Sequence, residues 1–248
     1  MFLLFDVGNT NINIGIVTDD SIEKTYRLNT EVNRTADEYY IQIKHLFDPE
    51  DVSRVAISSV VPRITEKLID ISRRHLGREP LVIGPGIRTG IRIQTDHPKE
   101  VGADLICDAV AVMDNEQPML VIDLGTANKY IYVKNRTILG VIISPGVALS
   151  IKALVGNTAL LPDIDIEVPR RVMGTNTIEC MQSGVTFGVA AQVDGLIDRI
   201  ANERHESFDV VLTGGLSELI EPLITKPVKR DADLLLKGLM DVLKRNEA

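Results

Sequence analysis

The chain of 248 residues contains no tryptophan, and only 4% of it is aromatic. A stacking surface for single-stranded nucleic acid is therefore not expected. Positive charge is also scarce: 27 basic residues face 35 acidic ones, a formal net charge of −8. Nucleic-acid backbones are held by clustered Lys and Arg, so this balance argues against a nucleic-acid partner and against a transcription-factor role. No apolar run approaches the roughly 18 residues of a membrane span, so no membrane partner is expected. The N-terminus shows no basic stretch ahead of an apolar core, and Asp6 interrupts its apolar run. A cytoplasmic location is the expectation. The 2 cysteines, Cys107 and Cys180, lack zinc-ligand spacing and are expected to be buried free thiols. His45, His75, His97 and His205 show no metal-ligand spacing either.

What the chain does contain is one turn written twice. Asp6-Val7-Gly8-Asn9-Thr10 follows the apolar run Phe2 to Phe5, and Asp123-Leu124-Gly125-Thr126-Ala127 follows Met119 to Ile122. Each copy precedes a second strand-like run, Ile12 to Val17 and Tyr130 to Val133. A tight Gly turn between strands points backbone N–H groups and short polar side chains into one concavity, which suits phosphate oxygens. A strand-end Asp beside it can hold a cation or a water. One Asp-x-Gly copy is explained by hairpin chemistry alone. Two copies with matching flanks, and Thr213-Gly214-Gly215 after a third strand, point to a nucleotide polyphosphate.

The remaining patterns give a duplicated α/β unit, with halves at 1–116 and 117–248. In the first half we read a strand at Tyr26 to Leu28, helices at Ala36 to Phe47 and Ile64 to His75, and strands at Val55 to Ser58 and Leu81 to Ile83. A helix over Gly102 to Met113 closes that half. In the second, Leu139 to Ile143 reads as a strand and Val147 to Val155 as a helix. The longest helix, Thr177 to Ala201, carries glycines that predict close helix packing. Val210 to Leu212 is a strand, and a last helix spans about Ala232 to Lys244, with room to cross back. Val101-Gly102-Ala103-Asp104 opens a helix, where a first-turn Asp is explained by capping or by chemistry. Phosphoryl transfer needs a carboxylate to orient or deprotonate the acceptor hydroxyl, which makes Asp104 a candidate.

These residues together resemble one family, the type III pantothenate kinases, within the actin/sugar kinase/Hsp70-like superfamily. The resemblance rests on Asp6 to Asn11, Ser58 to Pro62, Gly84-Pro85-Gly86, Pro98 to Asp104, Asp123 to Ala127, Gly174 to Thr177 and Met181 to Gly184. It implies two ribonuclease H-like halves with a nucleotide cleft between them. The implied reaction is ATP-dependent phosphorylation of pantothenate, the first step of coenzyme A biosynthesis, by a homodimer.

Carried over by position, Asp104 is the general base. Asp6, Val7, Gly8, Asn9, Thr10, Asn11, Ile12, Asn13 and Thr126 contact ATP. Gly102, Ala103, Asp104, Leu105 and Thr177 form the pantothenate site. Asp123 coordinates a monovalent cation, K+ or NH4+, alongside Mg2+. The chain departs from the family where Arg ordinarily follows the base and Leu105 stands here, and where Tyr is common and Thr95 stands here. The second turn continues Ala127-Asn128-Lys129 in place of Ala-Thr-Thr, and Lys129 could reach a phosphate or point away. Two alternatives stand beside the kinase: a paralogue that binds nucleotide as a regulator, and a kinase of a different small acceptor.

Overall fold

The computed structural model describes residues 1–246. The chain forms two compact units, one comprising Met1–Asp114 with the segment from Asp233 onward, the other Asn115–Ala232. The second half thus ends at Ala232 and not at the C-terminus, for a reason of packing given below.

In the first unit, β1 (Phe2–Val7), β2 (Asn11–Thr18) and β3 (Ser21–Asn29) form an antiparallel meander. Helix α1 (Ala36–Ile43) leads to β4 (Arg54–Ser59), and α2 (Pro62–Leu76) leads to β5 (Leu81–Val82). The sheet order is β3-β2-β1-β4-β5, with β4 parallel to both β1 and β5. A short strand, β6 (Arg92–Ile93), and helix α3 (Ala103–Val112) follow.

The second unit repeats the plan. Strands β7 (Met119–Leu124), β8 (Ala127–Lys134) and β9 (Thr137–Pro145) form the meander, α4 (Val147–Asn157) and α5 (Thr177–Arg204) follow, and β10 (Asp209–Thr213), α6 (Ser217–Ile220) and β11 (Lys229–Arg230) complete it. Its strands lie in the order β9-β8-β7-β10-β11, with β10 parallel to β7 and β11. Helix α7 (Leu234–Arg245) then returns to the first unit.

The duplication reaches fine detail. Each meander turns its second corner on two consecutive residues of positive φ, Asp19 and Asp20 (49° and 63°) and Asn135 and Arg136 (49° and 54°). That is the backbone of a two-residue hairpin matched to strand twist. In each, the register shifts just before that corner, between Ile16 and Val17 and between Tyr132 and Val133. Together these features are two ribonuclease H-like halves.

Strand alternation decides what each sheet face meets. Leu3, Phe5 and Val7 join a buried cluster with Tyr39, Ile43, Ile64, Leu68 and Ile71 of α1 and α2. Leu4 and Asp6, one residue out of phase, face the side on which α3 and α7 pack against β4 and each other. In the second unit Leu120, Ile122 and Leu124 join Val185, Val189, Val193 and Ile197 of α5.

Helix α7 buries Leu236, Leu239, Val242 and Leu243 on one stripe, and α3 and β1 supply its apolar partners. This burial draws the C-terminal helix out of the second half.

Local chemistry explains the boundaries of α1 and α2. Thr35 and Glu38 make a reciprocal capping box at the start of α1. That helix ends at Ile43, short of the Phe47 read from periodicity, and Asp48-Pro49 then begins a 3-10 turn with Asp48 in the extended backbone that precedes a proline. Pro62 sits in the first turn of α2, and Gly77 (φ 63°) ends it.

The glycines of α5 do not mark a close crossing. A Cβ built on Gly184, Gly188 or Gly195 meets no heavy atom within 4 Å. The tight approach belongs to Gly238 of α7, where a Cβ would lie 1.8 Å from the Cys107 carbonyl oxygen of α3.

Candidate functional site

The first Asp-x-Gly turn closes on itself. Gly8 N donates to Asn11 O (2.9 Å), and Thr30 Oγ1 donates to Gly8 O (2.7 Å). Asn9 and Thr10 at its tip are exposed. Asp6 is 9% exposed at the end of β1 and stands opposite Asn13 in the β1–β2 register. Asn13 Nδ2 donates to Asp6 Oδ2 at 2.9 Å, and Arg27 Nε donates to Asn13 Oδ1 at 3.1 Å. The carboxylate is thus oriented by a neutral amide, itself oriented by an arginine. Val7 and Ile12 are core side chains, so these two positions offer a ligand only their main chain.

Helix α3 sets a carboxylate on the same side of that sheet. Gly102 caps the helix, Asp104 lies in its first turn, and Leu105 N donates to Asp104 Oδ1 at 2.9 Å. A Cβ on Gly102 would stand 2.5 Å from that oxygen, so a glycine is required for Asp104 to adopt this position. Leu105 turns inward and is 7% exposed. One turn further, Asp108 is fully buried, a second carboxylate on this helix that the sequence reading passed over. Between them Cys107 faces the sheet. Its thiol is pushed well up, first by burial and further by the nearby carboxylates of Asp6, Asp108 and Asp104, with a Ser58 hydrogen bond opposing. Asp6 and Asp104 therefore both act electrostatically on one buried thiol.

The second turn is gripped from two sides by its own unit. A Cβ on Gly146, at the end of β9, would lie 2.2 Å from Gly125 O. Gly214, after β10, has φ +92°, and a Cβ there would lie 2.3 Å from Asp123 Oδ1. Both neighbours are backbone or a strand-end carboxylate, so only glycine fits at either place. Gly146 N donates to Thr126 O (3.1 Å), and Thr126 is exposed at the tip.

Asp123, 8% exposed, stands opposite Lys129 in the β7–β8 register. Here the cross-strand partner is an ammonium: Lys129 Nζ lies 2.6 Å from Asp123 Oδ2, with side-chain exposures of 15% and 11%. Lys129 therefore points at the carboxylate of its own turn.

Thr177 opens α5, behind an Asn176 whose Oδ1 accepts from Glu179 N at 3.0 Å. It lines a groove of about 1220 Å3 with Leu149, Leu154, Leu161, Met181 and Val185 of α4, α5 and the segment joining them. Cys180 lines the same groove and is exposed, contrary to the buried thiol read from sequence. It sits in the first turn of α5, which core side chains do not cover. In the native protein one thiol, Cys180, should react readily with a thiol reagent such as DTNB, and the buried Cys107 only after unfolding. Labelling followed by peptide mass analysis checks this; equal native reactivity of the two thiols would contradict the placement.

Among the described residues no helix is long and apolar enough to cross a membrane. None of the described His, Cys, Asp and Glu residues form a group of three or more able to hold a metal ion.

Comparison with known proteins gives the family. The family model for type III pantothenate kinases matches residues 2–199. A type III pantothenate kinase from Acholeplasma laidlawii is 50% identical over 246 residues, covering 99% of each chain. One from an Exiguobacterium species is 41% identical over 254 residues, covering 100% of each.

Among solved structures, a conserved putative Baf family transcriptional activator from Campylobacter jejuni aligns with a TM-score of 0.64 at 19% identity, over 98% of each chain. A putative 2-dehydro-3-deoxygalactonokinase from Sinorhizobium meliloti aligns with a TM-score of 0.59 at 12% identity, over 99% of each. At such identities these two structures speak for the fold alone. The family match spans most of the sequence and the relatives align along its whole length, so this chain belongs to the type III pantothenate kinase family.

Proposed function

We infer that the chain transfers the γ-phosphate of ATP to the primary hydroxyl of pantothenate, giving 4'-phosphopantothenate, with Asp104 as general base. The observation that carries this reading is Asp104 itself: a first-turn carboxylate held by Gly102, on the sheet face of the Asp6 turn, in a chain of this family.

The turn at Asp6 to Asn13 offers backbone N–H groups and the side chains of Asn9, Thr10 and Asn11 to the phosphates of ATP. Thr126 adds a hydroxyl from the second turn. Asp104 takes the proton of the acceptor hydroxyl as that oxygen bonds to the γ-phosphorus. The bond from γ-phosphorus to the bridging oxygen breaks, and ADP leaves.

Asp6 is the oxygen donor for a Mg2+ arriving with ATP, an ion that takes one or two carboxylates and completes its shell with phosphate and water. When bound, that ion neutralises charge on the transferring group. A monovalent cation at Asp123 does not fit as well, because the Lys129 ammonium already lies 2.6 Å from that carboxylate.

On the acceptor side, the main chain of Gly102 and Ala103 and the hydroxyl of Thr177 supply the polar contacts. Leu105 supplies bulk only, being nearly buried. A homodimer accounts for the apolar side chains exposed on the segment between α4 and α5, among them Leu160, Val172 and Met173. Two free thiols suit the reducing cytoplasm.

The test is ADP formation by the purified protein with Mg2+ and ATP, with and without pantothenate, and the mass of the product. Pantothenate-dependent turnover giving phosphopantothenate is the expected result. Bound ATP without turnover would overturn the reading in favour of a regulator, and turnover on another alcohol would reassign the acceptor.

A further inference from the structure

The two copies of the turn differ in one respect that bears on how the site is charged. Each places one residue directly across the hairpin from its strand-end Asp: Asn13 across from Asp6, and Lys129 across from Asp123. Directly opposed residues on an antiparallel pair point to the same sheet face, so these contacts follow from register. Asn13 is a neutral donor, whereas Lys129 places a full positive charge 2.6 Å from Asp123 Oδ2.

This pair differs from a surface ion pair. Its side chains are 15% and 11% exposed, against 37% and 27% for the pair between Lys134, at the end of β8, and Glu206, in the segment after α5. The carboxylate is also confined: Gly214 comes so near that a Cβ would lie 2.3 Å from Asp123 Oδ1. A soluble cation bound to Asp123 would sit within a few ångströms of the ammonium, in a place poorly reached by water, where like charges repel strongly.

We propose that the Lys129 ammonium is a built-in monovalent cation of this enzyme, paired with Asp123 at the second phosphate turn, and that it replaces a soluble potassium or ammonium ion. A lysine side chain ends in an alkylammonium, the same charge and the same N–H donors as an ammonium ion, on a tether. Being covalent, it is present at every turnover and independent of the ionic composition of the cell. Its place is set by the β7–β8 register, which also sets the turn that receives phosphate. The enzymatic arm of the test rests on the kinase reading above; the binding arm does not.

The experiment compares the wild-type chain with Lys129→Thr, in buffers where tetramethylammonium is the sole monovalent cation and K+ or NH4+ is then exchanged in at constant ionic strength. Pantothenate turnover and calorimetric affinity for a non-hydrolysable ATP analogue are both read. In the wild type each should change by less than about twofold on exchange, since only ion identity varies and not screening. In Lys129→Thr, turnover and nucleotide affinity should fall at least about tenfold in tetramethylammonium, because a buried carboxylate has lost its partner, and should recover with K+ or NH4+. Lys129→Gln, closer in length, serves if the threonine variant does not fold.

Wild-type stimulation of about tenfold or more by K+ would overturn the proposal, as would a Lys129 variant indifferent to K+. If wild-type protein phosphorylates no pantothenate in either buffer, the kinase reading fails, and the calorimetry still decides the cation. Absence of nucleotide binding by the wild type in both buffers overturns both.

Discussion

Asp104→Asn should lower pantothenate-dependent turnover by about 10²–10⁴-fold, the range over which a positioned general base contributes. The substitution is nearly isosteric, so the effect isolates the proton acceptor. The amide introduced would keep an oxygen where Asp104 Oδ1 accepts from Leu105 N, and Gly102 would still leave room for it. What disappears is a carboxylate able to take the hydroxyl proton. The helix loses a favourable first-turn charge, worth about 0.3–1 kcal/mol, so the melting temperature should fall by only a few degrees. Affinity for the ATP analogue should stay close to wild type, because the phosphate donors proposed above lie in the Asp6 turn. Single-turnover rates, calorimetry and thermal melting separate these quantities. Full turnover in Asp104→Asn would remove Asp104 from the chemistry, whereas a large melting shift with normal turnover would make it a capping residue.

Gly238→Ala should destabilise the first unit by about 2 kcal/mol or more, although Ala is the better helix former by about 1 kcal/mol. The reason lies in the crossing of α7 and α3. A Cβ at position 238 would stand 1.8 Å from Cys107 O and 2.7 Å from Cys107 C, with Ala111 N at 3.2 Å. These are backbone atoms of a packed helix, and no rotamer change relieves them. The helices must separate, and the apolar stripe that α7 buries through Leu239, Val242 and Leu243 separates with them. For a chain of this size each kcal/mol moves the melting temperature by about 2–4 °C, so a drop of about 4–8 °C is expected.

Gly195→Ala is the control. It lies within α5, an added Cβ there meets nothing within 4 Å, and the change should raise stability by about 0.5–1 kcal/mol. Thermal melting of the two variants gives opposite signs. Equal shifts would mean that the α3–α7 crossing is looser than described.

Some of this molecule could be read directly from residue order. The repeated Asp-x-Gly turn, with apolar runs before and after it, located β1–β2 and β7–β8, because a turn and its two strands are local and their side chains alternate with period two. Helices α2 and α5 were legible for the same kind of reason, one from its apolar stripe and the glycine at its end, the other from its length. Asp104 stood out as a first-turn carboxylate, and the role proposed for it came through the family resemblance.

Period and length do not say what covers a face or which residues end up opposed. The glycines of α5 looked like packing residues and meet open space, while Gly238, the one glycine of α7, carries the close crossing. Helix α7 leaves the half it follows in sequence because α3 and β1 supply the matching apolar surface. Cys180 is exposed because the first turn of α5 lies at a groove. The direction of Lys129 was open until the hairpin register was known, since one residue of slip would turn it to the other face.

Residue order alone was enough for the two Asp-x-Gly turns and the duplicated plan, both set by short-range chemistry. Which carboxylate meets an amide and which an ammonium was settled by the folded chain, because that pairing arises from strand register and from the glycines that let neighbouring backbone close around it.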